Sequence, residues 1–218
     1  MSTTVAIHLP FAKLSRWQQI AFAAALLERM LPNYKMFSEA ADFGDAKLLR
    51  NQLDLIWQWL ASSHTAKANA VKINIEAQLN KLEPQTPDPE AFDFFGVFSA
   101  LDACMALTAL WQFMQIKAPK KGAPTDFEDI VSISRLSHSS VHGYIELQLT
   151  QTLTEDELSQ EAVVEQEIAE HPLMQWEKET QNELFDFLKF AAEDKRTCQL
   201  AKEMVLSEGL SNLGIEIN

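Results

Sequence analysis

Between Phe94 and Ile116 the chain runs for 23 residues with a single charged side chain, Asp102. A stretch this long and apolar either crosses a membrane or fills the interior of a helical protein. Its length suffices for a span, which takes about 20 apolar residues. Its flanks also suit one, acidic before (Asp88, Glu90, Asp93) and basic after (Lys117, Lys120, Lys121). Against a span, a carboxylate at the centre of a membrane helix costs roughly 2.5–3.5 kcal/mol. Ser99, Thr108, Gln112 and Gln115 add polar groups, and no second apolar run offers them shelter. The buried helix is the better account. Gly96, Ser99, Ala103 and Ala106 fall at helical spacing on one face, where a neighbouring helix can approach closely. Phe95, Phe98, Leu101, Met105, Leu110, Trp111, Phe113 and Met114 cover the other sides, the pattern of a helix surrounded by protein. Asp102 then needs a donor, because an unpaired buried charge is costly. Arg29, Arg50, a backbone N–H or an indole N–H are the candidates.

The rest of the chain reads as helices around this one. Ser15 with Gln18, Thr125 with Glu128, and Thr154 with Glu157 have the form of capping boxes. Asp88–Pro89 puts a cap before proline at a first helical position, and Asp45 caps a further segment. Stops fall at Pro32, Gly44, Pro84, Pro119–Gly122, His171–Pro172 and Gly209. The spacing predicts about nine helices, over 15–31, 33–43, 46–62, 67–83, 89–117, 126–150, 155–170, 173–195 and 197–208. Val71, Ile73 and Ile75 alternate, as do Ile145, Leu147 and Leu149. That is the strand period, but both triplets lie within segments that also fit a helix. The expected fold is all-α: a single-domain bundle over 1–218 built on the central buried helix 89–117.

Composition narrows the function. The net charge is −13. Residues 154–195 hold 13 of the 31 acidic side chains and three lysines, hence −10 of that total. This surface excludes direct nucleic-acid binding, which needs a lysine- and arginine-rich face. It allows a basic protein partner. The start, MSTTVAIHLPFAKLSR, lacks the long apolar core of a signal peptide. Two separated cysteines, Cys104 and Cys198, fit a reducing, cytoplasmic setting.

Three constellations carry possible chemistry. His138, His142 and Glu146 share a helix face at four-residue spacing and are candidate metal ligands, though a site needs more ligands from a second helix. Glu167 and Glu170, then Glu183 and Asp186, resemble the paired carboxylates with which all-α nucleotide pyrophosphatases hold magnesium. With a turn at His171–Pro172, however, the two pairs stand roughly 15 Å apart along a hairpin. The corner at Arg29, Asn33 and Tyr34 is the candidate ligand- or partner-binding site. There Pro32 ends one helix and Asn33 caps the next, leaving a helix N-terminus that suits an anion. The alternative is a structural brace, with Arg29 paired to Asp54 or Asp102. No phosphate loop, nucleophile elbow or C-x-x-C occurs, and no cofactor is expected.

Several runs resemble the YjaG family of bacterial proteins. They are Arg16-Trp17-Gln18, Glu28-Arg29-Met30-Leu31-Pro32-Asn33-Tyr34 with Phe37, Phe43-Gly44-Asp45, Leu53-Asp54-Leu55-Ile56-Trp57, Phe92-Asp93, Gly96-Val97, Ala100-Leu101-Asp102-Ala103-Cys104, Val164-Glu165-Gln166-Glu167 and Ser211-Asn212-Leu213-Gly214-Ile215. The resemblance spans nearly the whole chain and is strongest from Arg16 to Leu107. It implies a soluble, all-helical, cytoplasmic protein and brings no catalytic role. The resulting expectation is a non-enzymatic helical protein that acts through protein contacts, by self-association or with a basic partner on the acidic 154–195 face. The alternative is a metal-dependent, pyrophosphatase-like hydrolase using Glu167, Glu170, Glu183 and Asp186. A third reading is a small-molecule binder with a pocket near the Arg29–Tyr34 corner.

Overall fold

One helix of 26 residues, α1 (Arg16–Ala41), forms the axis of the fold. The computed structural model describes residues 8–62, 71–116 and 127–217. The other helices are α2 (Ala46–Ser62), α3 (Ile75–Leu82), α4 (Gly96–Gln115), α5 (Glu128–Leu149), α6 (Glu155–Leu158), α7 (Glu161–Glu170), α8 (Pro172–Phe190) and α9 (Lys195–Val205). Among the described residues the fold is therefore an all-α bundle of nine helices, as expected.

From Trp17 to Leu31 every residue of α1 is buried. A helix enclosed in this way must be apolar or have its polar groups answered. Its run Ile20–Leu27 is entirely apolar, and four alanines (Ala21, Ala23, Ala24, Ala25) keep its girth small. It packs against α2, α4, α5, α8 and α9, most extensively against α4. The start of α1 meets the end of α4: the Arg16 guanidinium donates to the Phe113 carbonyl and, at 2.7 Å, to the Ile116 carbonyl. It thereby caps two free carbonyls of that helix end.

The apolar stretch around Asp102 is α4. Its small-residue face does lie inward, with Ser99, Ala103 and Ala106 buried beside Val97, Ala100, Cys104 and Leu107. By length and composition α4 could cross a membrane, but more than half of its apolar window is buried within the bundle. Two differences from the sequence reading appear. The helix begins at Gly96, not 89, because Pro89–Ala91 makes only a 3-10 turn in which Asp88 Oδ1 accepts from Glu90 N–H at 3.0 Å. And the bulky residues are not covered on every side, since Phe98 and Met105 stay 52% and 47% exposed.

The expected break at Pro32 is absent, because α1 runs through it. Proline deprives the preceding turn of a hydrogen bond and crowds its carbonyls. Arg29 O, in that turn, receives the Asn212 N–H at 3.1 Å. The expected helix 155–170 is split at Ser159–Gln160. α6 buries no residue, and local hydrogen bonds hold it, among them the Thr154–Glu157 capping box and the bonds of Ser159 Oγ and Gln160 Nε2 to Asp156 O. The Ser15–Gln18 box also forms, whereas Thr125 lies outside the described residues, as do Pro119–Gly122 and the part of the 67–83 helix before Val71. Residues 71–74 are not helical; Asn74 caps α3 instead, accepting from Ala77 N–H at 3.0 Å. Ile145 and Leu149 are buried and Leu147 exposed, which is helical register within α5. Asp194, whose carboxylate accepts from Thr197 N–H at 2.8 Å, starts α9 two residues early.

The tight α1–α4 contact yields a stability test. Ala103→Leu should cost about 1–3 kcal/mol through overpacking, lowering Tm by roughly 2–4 °C per kcal/mol in a chain of this size. Met105→Gln on the exposed side of the same helix should stay within about 0.5 kcal/mol. Thermal denaturation in dilute solution measures both.

Candidate binding site

Neighbouring residues on a helix point about 100° apart, so Glu28 and Arg29, side by side on α1, face different helices. Glu28 turns to α2 and α9. Arg50 grips its carboxylate with two N–H groups, at 2.5 and 3.0 Å, and Trp57 Nε1 donates at 2.7 Å. Lys202 lies 3.4 Å away, its ammonium over the Trp57 ring. Arg50 also reaches Asp54 at 2.7 Å. Burial alone would lower the Arg50 pKa, but the two carboxylates outweigh it and hold the charge.

Arg29 turns to α8 and α5. Its Nη1 donates to Glu177 Oε2 at 2.6 Å, and both side chains are fully buried. The guanidinium lies 4.1 Å over the Trp176 ring, which covers it as a cation–π partner. Glu177 Oε1 accepts from Ser137 Oγ at 2.6 Å and Gln181 Nε2 at 2.7 Å, and Ser134 Oγ donates to Gln181 Oε1 at 2.6 Å. Four donors thus converge on or behind one buried carboxylate and satisfy the acidic side of the pair, whereas Arg29 Nε and Nη2 are buried with no hydrogen-bond partner. One turn on, Asn33 Nδ2 donates to Asn212 Oδ1 at 2.7 Å, and Asn212 Nδ2 donates on to the Ser137 carbonyl at 3.2 Å. Tyr34 donates to the Gln85 carbonyl at 2.8 Å. Burial is the first cause that raises its pKa. Gly44 adopts a positive φ of 72°, and any side chain there would collide with the Tyr34 hydroxyl.

The three corner residues are therefore buried, each held by protein groups. The partner of Arg29 is Glu177, not Asp54 or Asp102, and Asp102 accepts instead from Ser140 Oγ at 2.6 Å. Sequence reasoning missed Glu177, Gln181 and Asn212. A signal existed: Glu177 and Gln181 fall on the same stripe as Leu184 and Leu188, so α8 carries two polar residues in core positions.

The metal candidates do not converge as a group. His142 Nε2 lies 3.2 Å from Glu165 Oε1 on α7, a partner the single-helix pattern cannot contain, and 4.0 Å separates His142 Nδ1 from Glu146. His138 is buried, which lowers its pKa. Glu167, Glu170, Glu183 and Asp186 are all exposed. Among the described residues no three His, Cys, Asp or Glu side chains are gathered to hold a metal ion.

Directly behind the corner, a cleft of ≈ 860 Å³ opens between α1, the start of α2, the end of α9 and the C-terminal tail. Its volume lies in the range of ligand sites. Leu31, Pro32, Met36 and Leu206 give it apolar walls, Glu28 and Arg50 lie at its base, and Ile215–Ile217 form its far side.

Residues 6–216 match the protein family described as "Protein of unknown function (DUF416)". The uncharacterized protein YjaG of Escherichia coli (strain K12) is 34% identical over 212 residues, covering 96% of this chain and 95% of the relative. An uncharacterized protein of Haemophilus influenzae is 32% identical over 216 residues, with 97% of each chain covered. The crystal structure of a DUF416 family protein from Shewanella baltica OS155 superposes with a TM-score of 0.77 at 33% identity, covering 96% of this chain and all of that one. The resemblance seen in the sequence is borne out, and the names of these relatives bring no activity with them.

Two measurements test the buried groups. Arg29→Met or Glu177→Met alone should cost about 3–5 kcal/mol, because each leaves an uncompensated buried charge, while the double substitution should recover much of the loss. Chemical denaturation of the three variants checks this. Burial pushes the Asp102 carboxyl from 3.8 up to about 6, the Ser140 hydrogen bond opposing it. The folded state then holds a proton that the unfolded state releases, so this group's contribution falls as pH rises from about 4 through 6. Asp102→Asn should therefore stabilise the protein at pH 7.5, by at most about 3 kcal/mol at roughly 1.4 kcal/mol per pKa unit. The gain should vanish toward pH 4, and melting curves across that range read it.

Proposed function

The chain belongs to the DUF416 family, and we propose that it is a non-enzymatic helical protein acting through protein contacts, first of all with a second copy of itself across the outer face of α4. The observation that carries this is the exposure of Phe98 and Met105 on one stripe, with Ile116 half exposed just beyond the helix end. Burying such a side chain gains about 1.5–3 kcal/mol. A protein of net charge −13 repels its own copies, which favours contact through a face poor in charge. From Phe98 to Gln115 this helix has only Asp102. The sequence is acidic before the stripe (Asp88, Glu90, Asp93) and basic after it (Lys117, Lys120, Lys121). The stripe is about 27 Å long at ~1.5 Å per residue. One such stripe is smaller than the ~800 Å² per partner of a standard interface, so the dimer is weak and concentration-dependent.

The acidic 154–195 region is the surface we assign to a basic partner. Glu167, Glu170, Glu183 and Asp186, all exposed, then serve as its contacts and not as metal ligands. We place the protein in the cytoplasm: Cys104 and Cys198 are both free and buried, as suits a reducing compartment.

Sedimentation equilibrium tests the self-association. A monomer–dimer equilibrium is expected, and Phe98→Glu with Met105→Glu should abolish it while leaving the circular dichroism spectrum and Tm of the monomer unchanged. A monomer at every concentration up to the solubility limit, or a dimer indifferent to these substitutions, would overturn the reading.

A further inference from the structure

We infer that pairing of two copies across the outer face of α4 takes up a proton on each Asp102, so that acid tightens the dimer and alkali loosens it. The inference rests on the self-association proposed above and names what controls it. Phe98 and Met105, both exposed, lie two turns apart on nearly one line of α4. Asp102 stands between them, four residues after the first and three before the second, within about 60° of both around the helix. It is half-buried, and Ser140 Oγ of α5 donates to its Oδ2 at 2.6 Å. On the same side Leu101, Thr108 and Ala109 are half-buried and Gln112 is exposed. The face that a second copy covers therefore holds one carboxylate among apolar and uncharged polar groups.

α4 carries no lysine, arginine or histidine. In whichever register two such faces meet, each carboxylate gains apolar cover and meets no cation from the opposing helix. A charge covered in this way is costly, and a second carboxylate nearby adds repulsion. A proton removes both penalties, and the neutral acid can then donate a hydrogen bond. The surroundings within one copy supply no counter-charge either. On α5, Ser140 faces the carboxylate, and Tyr144, one turn further, packs on the Phe95 ring at 6.0 Å. His138 and His142 lie about 200° around α5 from Ser140, toward α7, where His142 meets Glu165 at 3.2 Å. α1 brings Arg16 to the far end of α4, at the Phe113 and Ile116 carbonyls. α3 and Pro89–Ala91 also pack against α4. Among the described residues no charged group moves the Asp102 pKa, which burial raises to about 6 against the Ser140 hydrogen bond. Cover by a second copy raises it further, so association binds protons and its dissociation constant rises with pH.

Sedimentation equilibrium of the full chain from about pH 5.5 to 8, in about 0.15 M salt to screen the net charge, tests the coupling. The dimer dissociation constant should rise about tenfold or more between roughly pH 6 and 7.5. Asp102→Asn is neutral throughout and keeps an oxygen for Ser140. Its dimer at about pH 7.5 should be as tight as that of the unsubstituted chain at about pH 6, and should change less than about threefold across the range. Ser140→Ala removes the hydrogen bond that favours the charged carboxylate, and should move the rise to higher pH. Melting curves of each variant confirm folding. A dimer that Phe98→Glu with Met105→Glu abolishes but whose affinity ignores pH would overturn this inference alone, as would a pH dependence that survives Asp102→Asn. A monomer at every pH in both the unsubstituted chain and Asp102→Asn would overturn the self-association and this inference with it.

Discussion

The fold depends on enclosing one helix completely. Once α1 is surrounded from Trp17 to Leu31, any charge on it must be answered inside the protein. Glu28 and Arg29 are such charges, and their partners come from three other helices: Arg50 and Trp57 on α2, Lys202 on α9 and Glu177 on α8, which Ser137 on α5 holds in turn. Apolar packing alone would let these helices slide past α1. Two adjacent, oppositely charged groups with directional partners fix their register. A buried pair of this kind adds little net stability over a well-packed apolar one, so its consequence here is geometric: it sets where each helix crosses α1.

The same turn of α1 also anchors the tail. Pro32 weakens the hydrogen-bond ladder of the helix it sits in, and Asn212 binds the same turn, at Arg29 O through its N–H and at Asn33 through its side chain. Asn212 Nδ2 then bonds Ser137, one of the donors to Glu177. The proline, the ion pair and the tail are one connected structure. It holds Ile215–Ile217 against the cleft, so the far side of the cleft is positioned by buried charges.

Much of this was legible in the sequence and some was not, for identifiable reasons. Capping boxes at Ser15 and Thr154 and the cap at Asp45 are local chemistry and appear as read. The small-residue face of α4 is likewise a local pattern, and it is the face that packs inward. The run from Glu28 to Tyr34 drew notice as a candidate site, but its role as a corner depended on Pro32 ending a helix. Asn212, which binds the turn before Pro32, lies 180 positions from that proline, and no window of sequence contains both. Glu177 was unreadable as the partner of Arg29 for the same reason. The exposure of Phe98 and Met105 was not legible, because an apolar helix reads as covered on all sides. In fact α1, with six alanines against four in α4, occupies the middle and leaves one side of α4 open.

Amide hydrogen exchange on the native protein tests most directly whether the enclosed α1, its ion pair and the tail form one unit. The account predicts that the amides of Phe22–Leu27 and of Asn212 exchange in the slowest class, with a common free energy equal to that of global unfolding. Exchange of Asn212 through a separate, cheaper opening, or of the central α1 amides before those of α4, would contradict it.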